Sequence, residues 1–408
     1  MVRRSAMRVL VVMALLLGVA SCSFIKDDES LPEFVVAATL ELTGPNADIG
    51  KAHQNALNLE AERANASGVL GKRRLRVVTR DNQGKADAAA SHVTEFANDP
   101  SVAAVISGAC SACSMEAAKV ANTRQIPLIS LAPANGVVSV TKPDGSPFNE
   151  NFVFKLGPNS GDNVRALTTE MVRVTGKREG LKVGVLRGQG AYPVPVADPK
   201  DATKTVPPDE PTLASQAGVA NIGTVITNAE FAADGSNLAP QVAEMVADKP
   251  DAVFVWALPT QAALAVNALK AANFTKPIYL DGAAAGSLFL ANAAIEGVTI
   301  AFPQTLAMDD VIATTPAKAT RKQWFEDYTA RYGAYHGQSS FAADALDLVA
   351  TAVGRAGANR SAVRGVLESV ETDGLSGPIR IRPANHSGLM PQALAVFVAK
   401  GGRWRLLG

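Results

Sequence analysis

Residues 106–119 read ISGACSACSMEAAK and set Cys110 and Cys113 three apart, with Ser111 beside the first, directly after an apolar run. That spacing is compatible with several chemistries. Two thiolates are half of a tetrahedral zinc site, but no other Cys or His lies near enough in the sequence to complete one. Thiol–disulfide exchange is the second option, and by its usual pattern it needs a thioredoxin-like order of elements. A local disulfide in an oxidising compartment and a pair of small buried thiols lining a pocket are the remaining readings. The four histidines, His53, His92, His336 and His386, fall on scattered segments without metal-ligand spacing. Neither a Gly-x-Ser-x-Gly elbow nor a Gly-rich phosphate loop occurs. The expectation is a protein with no catalytic residues, metal or cofactor.

The compartment is read from the first residues, MVRRSAMRVLVVMALLLGVASCS. Arg3, Arg4 and Arg8 precede a short apolar stretch, Val9 to Ala20, and small residues lead to Cys22, the shape of a cleaved secretory signal. The stretch is too short to span a bilayer, which takes about 20 apolar residues. VASC also resembles the lipobox of bacterial lipoproteins, which implies lipidation of Cys22 and a body tethered outside the cytoplasm. A formal net charge of +1 provides no attraction for nucleic acid or an anionic surface.

The elements that would position Cys110 and Ser111 alternate between strand and helix. FVVAATL, RLRVVTRD, VAAVIS and IPLISL read as strands separated by alanine-rich helices, and FVFKL, LKVGVL, DAVFVWAL, KPIYL and GVTIAF form a second series. Runs that are apolar throughout fit parallel strands covered on both faces. About 380 residues beyond the signal exceed one ordinary core, so two doubly wound α/β lobes are expected. Residues 98–130 can be laid on 248–280 at a constant offset of 150, matching Pro100 with Pro250, Val105 with Val255, Ala121 with Ala271 and Pro127 with Pro277. The two lobes should therefore share one topology, with ligands beyond the carboxyl ends of the strands. The stretch 193–211, PVPVADPKDATKTVPPDEP, holds six prolines in 19 residues and reads as an exposed loop, a lid or a docking segment.

Several pieces in fixed order resemble the type I periplasmic binding proteins of the leucine/isoleucine/valine-binding family, which serve ABC transporters. They are GPNADIG (44–50), SGACSACS, PLISLAPA, GQGAY (188–192), SSFAADALDL (339–348) and SGPIRIRPANHSG (376–388). The resemblance implies two Rossmann-like lobes joined by a three-segment hinge that closes on a ligand. It divides the chain into a signal (1–21), a tether (22–32), lobe 1 (33–151 and 308–372) and lobe 2 (152–307 and 373–408). The implied function is a monomeric solute-binding lipoprotein that delivers a small polar molecule to membrane permease subunits. The molecule is a branched-chain or other amino acid, an amide or a small organic acid. A ligand sensor on the same scaffold is the alternative, favoured only by the Pro-rich insertion.

By the same resemblance, Ser111 and the amides around it bind the ligand carboxylate, where a helix start offers free N–H groups and a positive dipole end. Ser111 or Ser114 could equally cap the helix. Relatives bridge a cysteine near position 110 to an upstream loop; the corresponding RDNQGKAD has none, so any bridge here is Cys110 to Cys113. The remaining implied lining is Ile49, the backbone at Ala132 and Ala134, Tyr192, Leu258 and Phe341. Amino-acid binders pair the ligand ammonium with an acid where this chain has Gly282, next to Asp281. Either Asp281 reaches the ligand or the ligand is not an α-amino acid.

Overall fold

The computed structural model describes residues 31–44, 46–189, 196–198, 201–206, 223–286 and 290–407. The signal, Cys22 and Tyr192 lie outside the described residues. Five parallel strands form the first sheet in the order β2-β1-β3-β4-β5: β1 (Glu33–Leu40), β2 (Arg74–Asp81), β3 (Val102–Ser107), β4 (Leu128–Ser130) and β5 (Val153–Lys155). Helices α1 (Ala47–Ser67), α2 (Ala86–Asn98) and α3 (Ser111–Arg124) connect them. β1 from Phe34 onward and all of β3 to β5 are buried, which is why these runs carry no polar alternation.

The second sheet repeats the plan. Its order is β16-β15-β12-β11-β10-β6-β9, built from β6 (Leu181–Gly188), β9 (Gly223–Phe231), β10 (Ala252–Trp256), β11 (Ile278–Leu280), β12 (Thr299–Pro303), β15 (Leu394–Lys400) and β16 (Arg403–Leu406). Read as β9-β6-β10-β11-β12, it has the 2-1-3-4-5 order of the first sheet, with an antiparallel pair, β15 and β16, added at the edge. The helices α4 (Ser160–Thr175), α5 (Leu238–Ala247) and α6 (Pro259–Ala271) belong to this half. The offset of 150 holds: β4 lands on β11 and β3 on β10.

Three features differ from the sequence reading. FVFKL was expected to open lobe 2 at residue 152, yet β5 pairs in parallel with β4 and closes the first sheet. β9, GTVITNAEF, was not anticipated; its mixed polar pattern hides a strand that pairs with β6 along its whole length. Within the Pro-rich stretch, β7 (Val196–Asp198) and β8 (Asp201–Val206) form an antiparallel ladder. Neither strand contains a proline, which would remove a ladder hydrogen bond.

After β12 the chain returns to the first lobe through α7 (Pro316–Tyr332), α8 (Ser339–Ala356) and α9 (Arg360–Leu367), then crosses back by way of the hairpin β13 (Glu371–Gly374) and β14 (Gly377–Arg380). Among the described residues no helix is long and apolar enough to cross a membrane. The first and last crossovers run side by side: the Lys155 N–H donates to the His386 carbonyl at 3.0 Å and Gly388 N–H to the Lys155 carbonyl at 2.8 Å. The fully buried Lys155 ammonium donates to the carbonyls of Gly157 (2.6 Å) and Pro158 (3.0 Å) and to Asn159 Oδ1 (3.0 Å). Asp344 of α8 fixes the last crossover, accepting from the N–H groups of Leu375 (2.7 Å) and Ser376 (2.8 Å).

Trp324 Nε1 of α7 donates to Glu60 Oε2 of α1 at 3.0 Å, in a crevice shared with Arg63, Asp344 and Asp347. Burial, with the Asp347 charge adding to it, raises the Glu60 carboxyl to about 7. A carboxyl raised in the folded state contributes stability below its unfolded pKa, and that contribution is lost as pH rises through the folded value. Glu60→Gln keeps an acceptor for Trp324 and is expected to stabilise the protein at pH 8 by about 2–3 kcal/mol. The gain should shrink below pH 7 and be nearly gone by pH 4.5, as read by urea unfolding at each pH.

Candidate functional site

In each sheet the chain leaves the two central strands toward opposite faces, which opens a crevice at their carboxyl ends. In the first sheet those ends are Leu40 and Ser107. α3 begins immediately after the second of them, with Cys110 as its N-cap in extended geometry (φ −65°, ψ 107°). Cys110 Sγ accepts from Cys113 N–H at 3.1 Å, and the two sulfurs are joined in a disulfide with Cα atoms 5.2 Å apart. Ser114 turns inward, its hydroxyl donating to the Gly108 carbonyl (3.2 Å) and meeting Ser107 Oγ (2.8 Å). Ser111 is fully buried, and its hydroxyl has no protein partner. The cap is therefore supplied by Cys110, which leaves Ser111 Oγ uncommitted at the positive end of a 14-residue helix.

The floor holds a carboxylate that the sequence reading did not single out. Glu41 follows β1 and is 1% exposed. Its Oε1 accepts from Asn82 Nδ2 (3.2 Å) and its Oε2 from Ala109 N–H (3.1 Å). A Cβ at position 108 would stand 2.4 Å from Glu41 Oε2, so the glycine there is what admits the carboxylate. Burial raises the Glu41 carboxyl above the usual carboxylate range, against the pull of these hydrogen bonds. Asn82 continues to Thr39 Oγ1 (3.3 Å), which meets His92 Nδ1 (3.1 Å). Glu41, Cys110 and Cys113 are the one grouping of three potential metal donors among the described residues, and with the sulfurs bonded to each other it offers a single carboxylate.

The second lobe closes on this end. Ile49 and Ala109 of the first lobe pack in one cluster with Trp256, Leu258 and Ala283 of the second. Leu258 caps α6, Pro259 occupies the first turn where a missing N–H costs nothing, and Gln261 accepts from Leu258 N–H while donating to the Gln189 carbonyl at 2.7 Å. Ala132 and Ala134 are buried against Cys110 and Cys113. Phe341 of α8 packs on Phe302 of β12, centroids 5.5 Å apart, inside the main core.

Asp281 is fully buried and holds its own loop: Oδ2 accepts from Ala283 N–H (3.0 Å) and Oδ1 from Asn163 Nδ2 (3.4 Å). At Gly282 a Cβ would lie 2.6 Å from Asn163 Nδ2 and 3.3 Å from Pro158 Cγ, so the loop has no room for an acidic side chain there. Gln338 Nε2 donates to the Gly282 carbonyl at 3.2 Å and ties the start of α8 to the same loop. Two histidines far apart in sequence meet beside it. Burial keeps both neutral: His53 is pushed down to about 3, with His336 adding to the effect, and His336 to about 4 by burial alone. Both ring nitrogens of His53 and Nε2 of His336 have no protein partner.

A pair of α/β lobes of identical strand order, joined by crossovers and meeting at the carboxyl ends of their sheets, is the architecture of a two-lobed cleft protein. The periplasmic binding protein family model matches residues 33–403, and the chain belongs to that family. Solved structures of the same fold include an extracellular ligand-binding receptor from Rhodopseudomonas palustris HaA2, with a TM-score of 0.76 at 22% identity, covering 92% of this chain and 99% of that one. A leucine binding protein, LivK, from Thermotoga maritima has a TM-score of 0.75 at 18% identity, covering 92% of this chain and 98% of its own. The branched-chain amino acid transporter substrate binding protein LivJ from Streptococcus pneumoniae, in complex with isoleucine, has a TM-score of 0.73 at 18% identity, covering 92% and 99%.

The crowding at Gly282 has a direct consequence. Gly282→Ala is expected to lower stability by about 1–2 kcal/mol through overpacking against the buried Asn163. Denaturant unfolding of the variant beside the parent measures it.

Proposed function

We propose that this protein is an extracytoplasmic solute-binding protein, tethered by lipid on Cys22, that delivers a small carboxylate- or amide-bearing molecule to an ABC permease. The observation that carries this reading is Ser111: a fully buried hydroxyl without a protein partner, at the start of α3 and under the facing lobe. Unmet buried polar atoms are costly, and a helix start favours an anionic or strongly accepting group. The apolar surfaces of Ile49, Ala109, Leu258 and Ala283 suit a small aliphatic body.

The relatives named as leucine- and isoleucine-binding make amino acids the first class to test. The loop at 281–284 argues for a different head group. Asp281 is engaged by its own turn, Gly282 admits no acid, and a buried ammonium without a carboxylate partner is unfavourable. The nearby imidazoles are neutral and offer hydrogen bonds without charge. The ligand is accordingly an organic acid or amide lacking an α-ammonium group.

A melting-temperature screen of the mature body against branched-chain amino acids, their 2-keto and 2-hydroxy acid analogues, and aliphatic amides tests this, since ligands of the folded state raise the midpoint. A shift with the acids or amides and none with the amino acids is expected; the reverse pattern overturns the head-group assignment. For whichever compound binds, Ser111→Ala is expected to weaken affinity at least about tenfold with little change in the unliganded melting temperature.

A further inference from the structure

We propose that Cys110 and Cys113 are a redox-active pair that exchanges with low-molecular-weight thiols, with Glu41 as the group that gives and takes the proton of Cys113. Three independent features meet there. Cys110 is the N-cap of α3 and Cys113 stands in its first turn, so the helix end and the Cys113 N–H both favour a thiolate on Cys110 when the bond is open. One Glu41 carboxylate oxygen and the two sulfurs all lie within 4.8 Å of one another. Cys110 Sγ lies 3.9 Å from the Gly84 carbonyl, under the exposed turn Gln83–Lys85, so a small movement of that turn opens it to solvent.

A purely structural bridge explains none of this. A disulfide that closes so short a loop removes little entropy from the unfolded chain. Nor does such a bond need an ionisable carboxyl buried beside it, which is costly to desolvate. A raised carboxyl, by contrast, is better matched to a thiol for proton transfer.

The exchange balances as follows. The thiolate of a small thiol attacks Cys110 Sγ, forming a mixed disulfide and breaking the Cys110–Cys113 bond. The electron pair stays on Cys113 Sγ, which takes the proton from the Glu41 carboxylic acid. A second thiol attacks the mixed disulfide and releases Cys110 and the oxidised small disulfide. The protein gains two electrons, and two thiols are joined into one disulfide. In the oxidising direction the Glu41 carboxylate removes the Cys113 proton. Because Ser111 lies between the two cysteines, the state of the bond sets the first turn of the helix that faces the cleft. The exchange itself does not depend on which ligand the cleft takes.

The test uses the folded protein with Cys22→Ser, leaving Cys110 and Cys113 as the only cysteines. It is equilibrated in glutathione buffers of graded reduced-to-oxidised ratio, and free thiols are trapped by alkylation and counted by mass. Interconversion within the glutathione range is expected. A protein that stays bridged at the most reducing ratio, while its urea-unfolded form is reduced, overturns the proposal, because structural disulfides resist the glutathione pool. Adding Cys113→Ser should leave one glutathione on Cys110, and failure to form that adduct removes Cys110 as the attacked sulfur. Glu41→Gln, which keeps an acceptor for Ala109 N–H, should slow reoxidation of the dithiol by oxidised glutathione at least about tenfold at pH 7 without lowering the melting temperature. An unchanged rate removes Glu41 from the proton path.

Discussion

The structure depends on how two sheets can face each other across a cleft and still be one body. Parallel sheets must be covered on both faces, so each half carries its own helices, and the join between halves falls to irregular backbone. Irregular backbone at that depth leaves carbonyls without ladder partners, and these must be satisfied. Lys155 does this at the first crossover, its buried ammonium gathering the Gly157 and Pro158 carbonyls and the Asn159 side chain. His386, on the strand of chain alongside, meets the Val153 carbonyl through Nδ1 at 2.8 Å and stacks on Phe154. With first and last crossovers knitted in this way, the start of α3 and the Asp281 loop are held opposite each other.

Much of the fold was legible because its strands are short, apolar and regularly spaced. β1, β3, β4, β10, β11 and β12 stand out as buried runs, and the repeat at an offset of 150 is visible in the prolines that precede equivalent strands. What was not legible is pairing. Val153–Lys155 looks the same whether it ends one sheet or begins another, since a fully buried strand says nothing of its neighbour. β9 escaped notice because Thr224, Thr227 and Asn228 break its apolar run, although its place beside β6 makes it the counterpart of β2.

The site divides along the same line. Ser111 could be found from sequence because a serine at the start of a helix after a buried strand is a local pattern. That it does not cap the helix is visible only once Cys110 is seen to accept from Cys113 N–H. Glu41 in ELTGP reads as an ordinary loop acid; only the adjacency of β1 and β3 brings it to Ala109. His53 and His336 lacked any shared motif, and their meeting requires α8 to lie on α1 after the chain has passed through β6 to β12 of the second lobe. Asp281 illustrates the converse, a residue conspicuous in sequence whose carboxylate the structure occupies with its own turn.

The order of segments has a consequence for the life of the chain before it folds. Trp324 on α7 reaches Glu60 on α1 across 264 residues, and the edge of the second sheet is supplied by Leu394–Lys400 and Arg403–Leu406. The first half lacks its last helix until Leu367 has been made, and the second lacks its edge strand until Leu406. Contacts this remote form slowly, because a long loop must close before any of them is gained. A nascent chain built in this order gains its compact form only late, after both returns between the halves have been made.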